Sequence, residues 1–369
     1  MTQSIPCKRD RRSRLRLALL LALVAVLVGV LPAAATNGTV WTTLPSMPTA
    51  RWGLAAASAP CPTGQTGTCV YAVGGNGNGG TSPGTVESYN RRTNAWSTLR
   101  SLTTPRRDLA AAAAPCPAGQ TGTCVYAVGG FDAGNTIVGT VESYNPATNA
   151  WSTVTSLTTP RAQLAAAAAP CPLGQTGTCV YAVGGNDNGL AVGTVESYNP
   201  ATNAWSTVAS HTPRLLLAAA AAPCPSGQTG TCVYAVGGFD PGNTIVGTVE
   251  SYNPTTNAWS PVASLPTRRA ALPATAAPCP AGQTGTCVYA VGGTVSGAVG
   301  TVESYNPVSN IWTTLPTVPT PRSQLAAATT TCPPGQTGTC VYTLGGVIPG
   351  GAPAGTLEAL DPPAAKPSR

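Results

Sequence analysis

Between Arg51 and Asp361 the apolar residues come in short runs cut apart by Gly, Pro, Asn and Cys. In residues 161–212 the order is Leu164–Ala169, a Cys-bracketed turn, Val180–Val183, a Gly/Asn/Asp loop, Val195–Asn199, then Ala204–Val208. β-rich runs at intervals of about ten residues, bounded by turn formers, predict the strands of an antiparallel sheet. The alanine run is the one conflict, because alanine is the best helix former. Six residues ended by Pro170 are too few to sustain a helix. The run therefore reads as an innermost strand, where strands crowd an axis and only small side chains fit. The unit recurs six times, each with an Arg-x-x-Leu and a Gly-Gly, the glycine pairs 53 to 55 residues apart from Gly74-Gly75 to Gly345-Gly346. A fixed period of this length predicts an array whose units bury their apolar faces only against one another.

Twelve of the thirteen cysteines form six pairs: Cys61/Cys69, Cys116/Cys124, Cys171/Cys179, Cys224/Cys232, Cys279/Cys287 and Cys332/Cys340. Each pair brackets a turn of the form Pro-x-Gly-Gln-Thr-Gly-Thr. An even count in an exported chain favours disulfides, and a zinc site would need four ligands where the chain has one histidine, His211. Each short ring should add about 2–3 kcal/mol on the chain-entropy account.

The motifs Val-Tyr-Ala-Val-Gly-Gly, Val-Glu-Ser-Tyr-Asn-Pro and Thr-Asn-Ala-Trp, repeated from Trp41 to Asp361, resemble the kelch repeat, in the form of a secreted bacterial kelch-repeat protein. The resemblance implies an all-β, six-bladed β-propeller of four-stranded antiparallel blades. Blades are expected at about 51–103, 104–158, 159–211, 212–266, 267–319 and 320–361. The sixth segment has Thr356–Asp361 but no tryptophan strand, and Leu360 stands where the others have tyrosine. An orphan strand, Val40-Trp41-Thr42-Thr43-Leu44, precedes the first Arg-x-x-Leu. It is expected to complete blade six from 39–46, removing a free sheet edge.

Residues 1–35 read as a signal peptide. Lys8, Arg9, Arg11, Arg12, Arg14 and Arg16 precede the apolar run Leu17–Val30, and Ala33 and Ala35 offer a cleavage site. Cleavage would leave 36–369 as a single propeller domain with no stable membrane span, because the apolar core is shorter than the roughly 20 residues of a spanning helix. The alternative is a retained anchor. Export to the medium, periplasm or cell surface follows from either. Thirteen basic residues against eleven acidic ones remain after residue 35, which gives no case for nucleic acid as partner. No cofactor and no metal is expected. Some kelch propellers are copper radical oxidases, but their metal needs two histidines.

The periodic tryptophans and tyrosines read as packing between blades. Two charged series are open to two readings. Arg51, Arg106, Arg161, Arg214, Arg269 and Arg322 begin the inner strands, and Glu87, Glu142, Glu196, Glu250, Glu303 and Glu358 recur in the third strands. They pair within the blades, or the arginines ring one mouth of the channel; the resemblance to kelch adaptors implies that such a ring grips acidic ligands. The loops after each Gly-Gly vary and share a face with the strand-four-to-one loops, where recognition usually lives. Trp52, Phe131 and Phe239, with Asp132 and Asp240, map to that face as a platform for a peptide or sugar. His211 reads as a solvated loop residue. The expected function is a secreted binding or scaffold protein for a protein, peptide or glycan, acidic ligands among them. A carbohydrate-active kelch enzyme, such as a sugar epimerase or mutarotase, is the alternative.

Overall fold

The structure is a computed structural model and describes residues 1–2, 40–80 and 82–362. Apart from its first two residues, the expected signal segment 1–35 lies outside the described residues. Six four-stranded antiparallel sheets follow one another in chain order. Blade one is Ala55–Pro60, Thr68–Val73, Val86–Asn90 and Ala95–Thr98, and its successors repeat the order. Blade six takes its first three strands from Ala326–Thr331, Thr339–Leu344 and Leu357–Asp361. Its fourth strand is Val40–Leu44, paired from Val40↔Asp361 to Leu44↔Leu357. The expected all-β, six-bladed propeller and its closure by the Trp41 strand are thus what the chain forms.

The alanine runs are the innermost strands. Along Ala55–Pro60, buried and half-buried positions alternate, as a strand demands when one face packs on its neighbours and the other lines a channel. Together with Ser58, Thr275 and Thr329, the alanines of all six blades line a cavity of about 280 Å³. Larger side chains at these positions would meet across the axis.

Ring closure repeats the same contacts as every other junction. Each tryptophan Nε1 donates to a carbonyl just past the outer strand of the preceding blade: Trp151 to Arg100, Trp205 to Thr155, Trp259 to Ala209, Trp312 to Ala263. Trp41 donates to Pro316 and Trp96 to Pro45, so the N-terminal strand joins blade five to blade six and blade six to blade one. Buried tyrosines of neighbouring blades pack with their rings tilted, Tyr71 and Tyr144 at 5.8 Å between centroids. Leu360 removes one partner from this series, and Tyr289 packs on Leu360 and Trp41 instead.

All six cysteine pairs are bonded, Cys61 to Cys69, Cys116 to Cys124, Cys171 to Cys179, Cys224 to Cys232, Cys279 to Cys287 and Cys332 to Cys340, with Cα atoms 4.8–4.9 Å apart. The second cysteine of each pair begins the second strand of its blade and has no exposed surface: Cys69, Cys124, Cys179, Cys232, Cys287 and Cys340 all lie in the hydrophobic cores between blades. The six expected disulfides are thus formed, and they belong to the frame of the blades. The glutamine of each bracketed turn is fixed from the side: Gln65 Nε2 donates to Ser97 Oγ, and its Oε1 accepts from Asn90 Nδ2. The near-invariance of these turns follows from this frame.

Trp41→Ala should cost about 2–3 kcal/mol, through lost aromatic packing and an unpaired Pro316 carbonyl. Deleting 40–46 should lower the melting temperature of the whole ring, because it also frees the Leu357–Asp361 edge. An unchanged thermal transition would contradict closure by this strand.

Candidate functional site

Each arginine of the Arg-x-x-Leu motif is wholly buried, and its guanidinium meets the glutamate of its own third strand. The distances are 2.7 Å for Arg51–Glu87, 3.1 Å for Arg106–Glu142, 2.7 Å for Arg161–Glu196, 2.6 Å for Arg214–Glu250, 2.7 Å for Arg269–Glu303 and 2.6 Å for Arg322–Glu358. Arg214 also donates to the Gly237 and Thr248 carbonyls, so one side chain clamps both ends of the loop after Gly-Gly. The other glutamate oxygen holds the preceding loop, as Glu358 Oε1 does by accepting from Thr320 Oγ1 at 3.0 Å. Burial pulls each arginine pKa below its ordinary value, and the glutamate opposes that shift. A guanidinium with no exposed surface offers nothing to an acidic ligand, so these six arginines leave the candidate surface and belong to the frame.

The mouth of the channel is formed two residues later. Gly53, Asp108, Gln163, Leu216, Ala271 and Gln324 all have φ between 50° and 60°. In this left-handed conformation each residue donates its N–H to the preceding blade and offers its carbonyl to the next. Asp108 N donates to Gly53 O, Gln163 N to Asp108 O, Leu216 N to Gln163 O, Ala271 N to Leu216 O, Gln324 N to Ala271 O and Gly53 N to Gln324 O, at 2.7–3.0 Å. The ring closes on itself. Below it the motif leucines, Leu54, Leu109, Leu164, Leu217, Leu272 and Leu325, form an apolar collar, and the whole mouth encloses about 130 Å³.

The repeats stop being alike at this ring. Among the described residues Asp108 is the one titratable residue in the mouth lining, with Gln163 on one side and Gln324 beyond Gly53 on the other, while Leu216 and Ala271 make the remaining arc apolar. Burial pushes the Asp108 carboxyl up to about 6, with Arg107 pulling the other way from 3.7 Å. Among the described residues its carboxylate accepts no hydrogen bond within normal reach. Gly53 makes room for it, since a Cβ there would lie 2.7 Å from Asp108 Oδ1.

Around the mouth lies a rim of half-buried side chains. Trp52 and Phe131 are brought together through Arg107, whose guanidinium carbon lies 6.0 Å and 5.0 Å from their ring centroids. Phe239 is separate, two blades away from Phe131, where its backbone bridges Leu215 and Ile245. Asp132 and Asp240 are engaged in their own loops: each Oδ1 accepts two backbone N–H groups, Gly134 and Thr136 in one case and Gly242 and Thr244 in the other. Arg107, Asp108, Gln163 and Gln324 escape a reading that follows periodic residues. Their signal is the opposite, the variable pair inside Arg-x-x-Leu: Trp-Gly, Arg-Asp, Ala-Gln, Leu-Leu, Ala-Ala and Ser-Gln.

His211 is not solvated. Its side chain is fully buried, packs on Trp259 at 5.2 Å between centroids and presses on Gly184, in the slot that Leu102, Leu157 and Leu265 fill in other blades. Among the described residues neither ring nitrogen has a hydrogen-bond partner. Burial, Arg214 and Arg161 lower its pKa to about 3, although Glu250 Oε2 lies 3.9 Å away. Among the described residues, three potential metal ligands converge at Cys332, Cys340 and Asp361, but both sulfurs there are in one disulfide.

Two measurements test these assignments. Arg161→Met, which strands Glu196 in the interior, should cost about 3–5 kcal/mol in chemical unfolding, and adding Glu196→Leu should recover part of that loss. For His211 the folded pKa lies below the ordinary 6.5, so its contribution is complete above that pH and is lost as the pH falls toward 3. By pH 5 the loss should reach about 2 kcal/mol. Asp108, shifted the other way, gains over part of the same range, so the test compares wild type with His211→Leu. Parallel pH profiles for the two would contradict the assignment.

A family profile for the Kelch motif matches residues 57–103, 112–158, 167–212, 220–266 and 276–319, that is, blades one to five. Kelch-like protein 25 of Xenopus tropicalis is 28% identical over 206 residues, covering 54% of this chain and 31% of its own length. Kelch-like protein 35 of Mus musculus is 29% identical over 142 residues, covering 38% of this chain and 22% of its own length. The chain thus spans a third or less of these relatives. The solved structure of YjhT shares the fold, with a TM-score of 0.58 at 16% identity over 86% of this chain and 96% of that one. With five matched repeats and the sixth blade closed by its N-terminal strand, the chain belongs to the kelch-repeat family of β-propellers.

Proposed function

We propose that this protein is an exported binding module that recognises another protein at the channel mouth and its rim. One observation carries the reading. The side chains in which six near-identical repeats differ converge on one mouth, above a frame whose repeated residues are buried. Kelch propellers commonly bind proteins, which supports a protein partner. Half-buried Trp52 and Phe131, held in place by Arg107, are the kind of rigid aromatic surface that anchors interfaces. Six disulfides of short span are typical of extracellular proteins and support export, together with the N-terminal pattern of the sequence. No helix among the described residues is long and apolar enough to cross a membrane.

The sugar epimerase or mutarotase reading finds no support in the mouth, where Asp108 has no titratable partner among the described residues of the lining to share acid–base work. An acidic ligand loses its basis with the burial of the arginine series.

Screening a random peptide library and a glycan array against the purified protein tests the proposal. Binders should lose about thirtyfold in affinity on Trp52→Ala with Phe131→Ala. They should be indifferent to Leu173→Asp, an exposed residue in the turn on the opposite face. Binders that depend on Leu173 and ignore the rim would overturn it, and binding confined to glycans would replace the partner class.

A further inference from the structure

We infer that Asp108 anchors a basic side chain, lysine or arginine, of a partner polypeptide inserted into the channel mouth. The inference rests on the loop face being the binding surface and names the chemistry that face selects. The Asp108 side chain is only 7% exposed, lines the cavity, and has no hydrogen-bond donor among the described residues. Nothing in the fold calls for an acid there. The same ring position is filled by Gly, Gln, Leu, Ala and Gln in the other blades, with the same backbone conformation and the same ring of hydrogen bonds. A desolvated carboxylate without donors costs the folded state free energy, which is what its upward-shifted pKa records. Groups held at such a cost are characteristic of sites that gain their partner from a ligand.

The surroundings select the ligand. Among the described residues, Asn76 Oδ1 in the neighbouring blade is buried without a donor, and Arg107 Nε is buried without an acceptor. Arg107, the nearest cation, faces Trp52 and Phe131 and reaches Asp108 only at 3.7 Å, beyond hydrogen-bond distance. About 130 Å³ admits one extended side chain, well short of the roughly 300 Å³ or more of small-molecule sites. Asp108 stands at the ring, above the leucine collar, so a lysine or arginine side chain entering the mouth brings its charged head to this carboxylate first.

The test uses peptides selected from a random library on the wild-type protein, each then measured against Asp108→Asn and Gly53→Ala. The second variant displaces the carboxylate by steric contact and serves if the first perturbs folding. Rim-dependent peptides should carry a lysine or arginine and lose about thirtyfold in affinity on Asp108→Asn, or when that residue becomes norleucine. The Asp108→Asn protein should melt no lower than wild type. Rim-dependent peptides that lack a basic residue, or that bind both variants unchanged, would overturn the inference and leave the binding face intact. Failure of every peptide to depend on the rim would remove both.

Discussion

The propeller hangs on one buried residue per blade, the arginine that opens each inner strand. Its side chain meets the third-strand glutamate, and Arg51, Arg161, Arg214 and Arg322 also hold the loop after their own Gly-Gly. Its backbone carbonyl accepts the N–H of the second glycine of the blade before: Gly75 donates to Arg106, Gly130 to Arg161, and Gly346 to Arg51 across the closure. Each arginine therefore joins two blades. The glycine pair is dictated by this contact. Gly74 and Gly75 have φ of 63° and 94°, and a Cβ on Gly74 would lie 2.6 Å from the Arg106 carbonyl. A buried ion pair is weak evidence of net stabilisation, since desolvation offsets most of the attraction. What it provides here is register, because a guanidinium left without its glutamate would be far costlier than the pair.

The hydrogen-bonded ring at the mouth places a second constraint on the same segment. Left-handed backbone costs a non-glycine residue roughly 1 kcal/mol, and five of the six ring residues are not glycine. Each accepts the conformation because it lets one peptide unit address both neighbouring blades. With backbone conformation fixed by the circle, the side chain at this position is released from structural duty. It can be Asp, Gln, Leu or Ala without altering the frame. The same holds one residue earlier, where Trp52, Arg107, Ala162, Leu215, Ala270 and Ser323 all pair through backbone alone with the residue after Gly-Gly.

That division explains what could be read from the chain itself. Strands, blade count, closure by the Trp41 strand and the cysteine pairing are written in periodic residues, each of which makes the same contact six times. Periodicity also made the Arg and Glu series visible, but spacing cannot say whether a guanidinium faces a channel or a neighbouring carboxylate; the depth of the residue decides that, and depth depends on the twist of the blade. His211 was illegible for the same reason. Its loop is short and polar in sequence, with Ser210 before it and Thr212 and Pro213 after, yet the packing of the adjacent blade turns the ring inward against Trp259. The mouth residues carry no pattern at all, since their position is defined by a periodic neighbour and their identity is free.

Freedom of identity has an energetic condition. Asp108 and His211 each place, in one blade only, an ionisable group where burial disfavours its charged form. A single-core domain of marginal stability tolerates few such groups. Here each blade carries its own disulfide, tryptophan bond and arginine stitch, so a local loss is spread over a closed array and no junction fails alone. The histidine occupies a slot that leucine fills in other blades and lines neither the mouth nor the channel, which marks it as tolerated. The aspartate stands in the mouth lining, beside a glycine that vacates the space its carboxylate needs, and that complementarity between two blades is what distinguishes a built feature from a tolerated one.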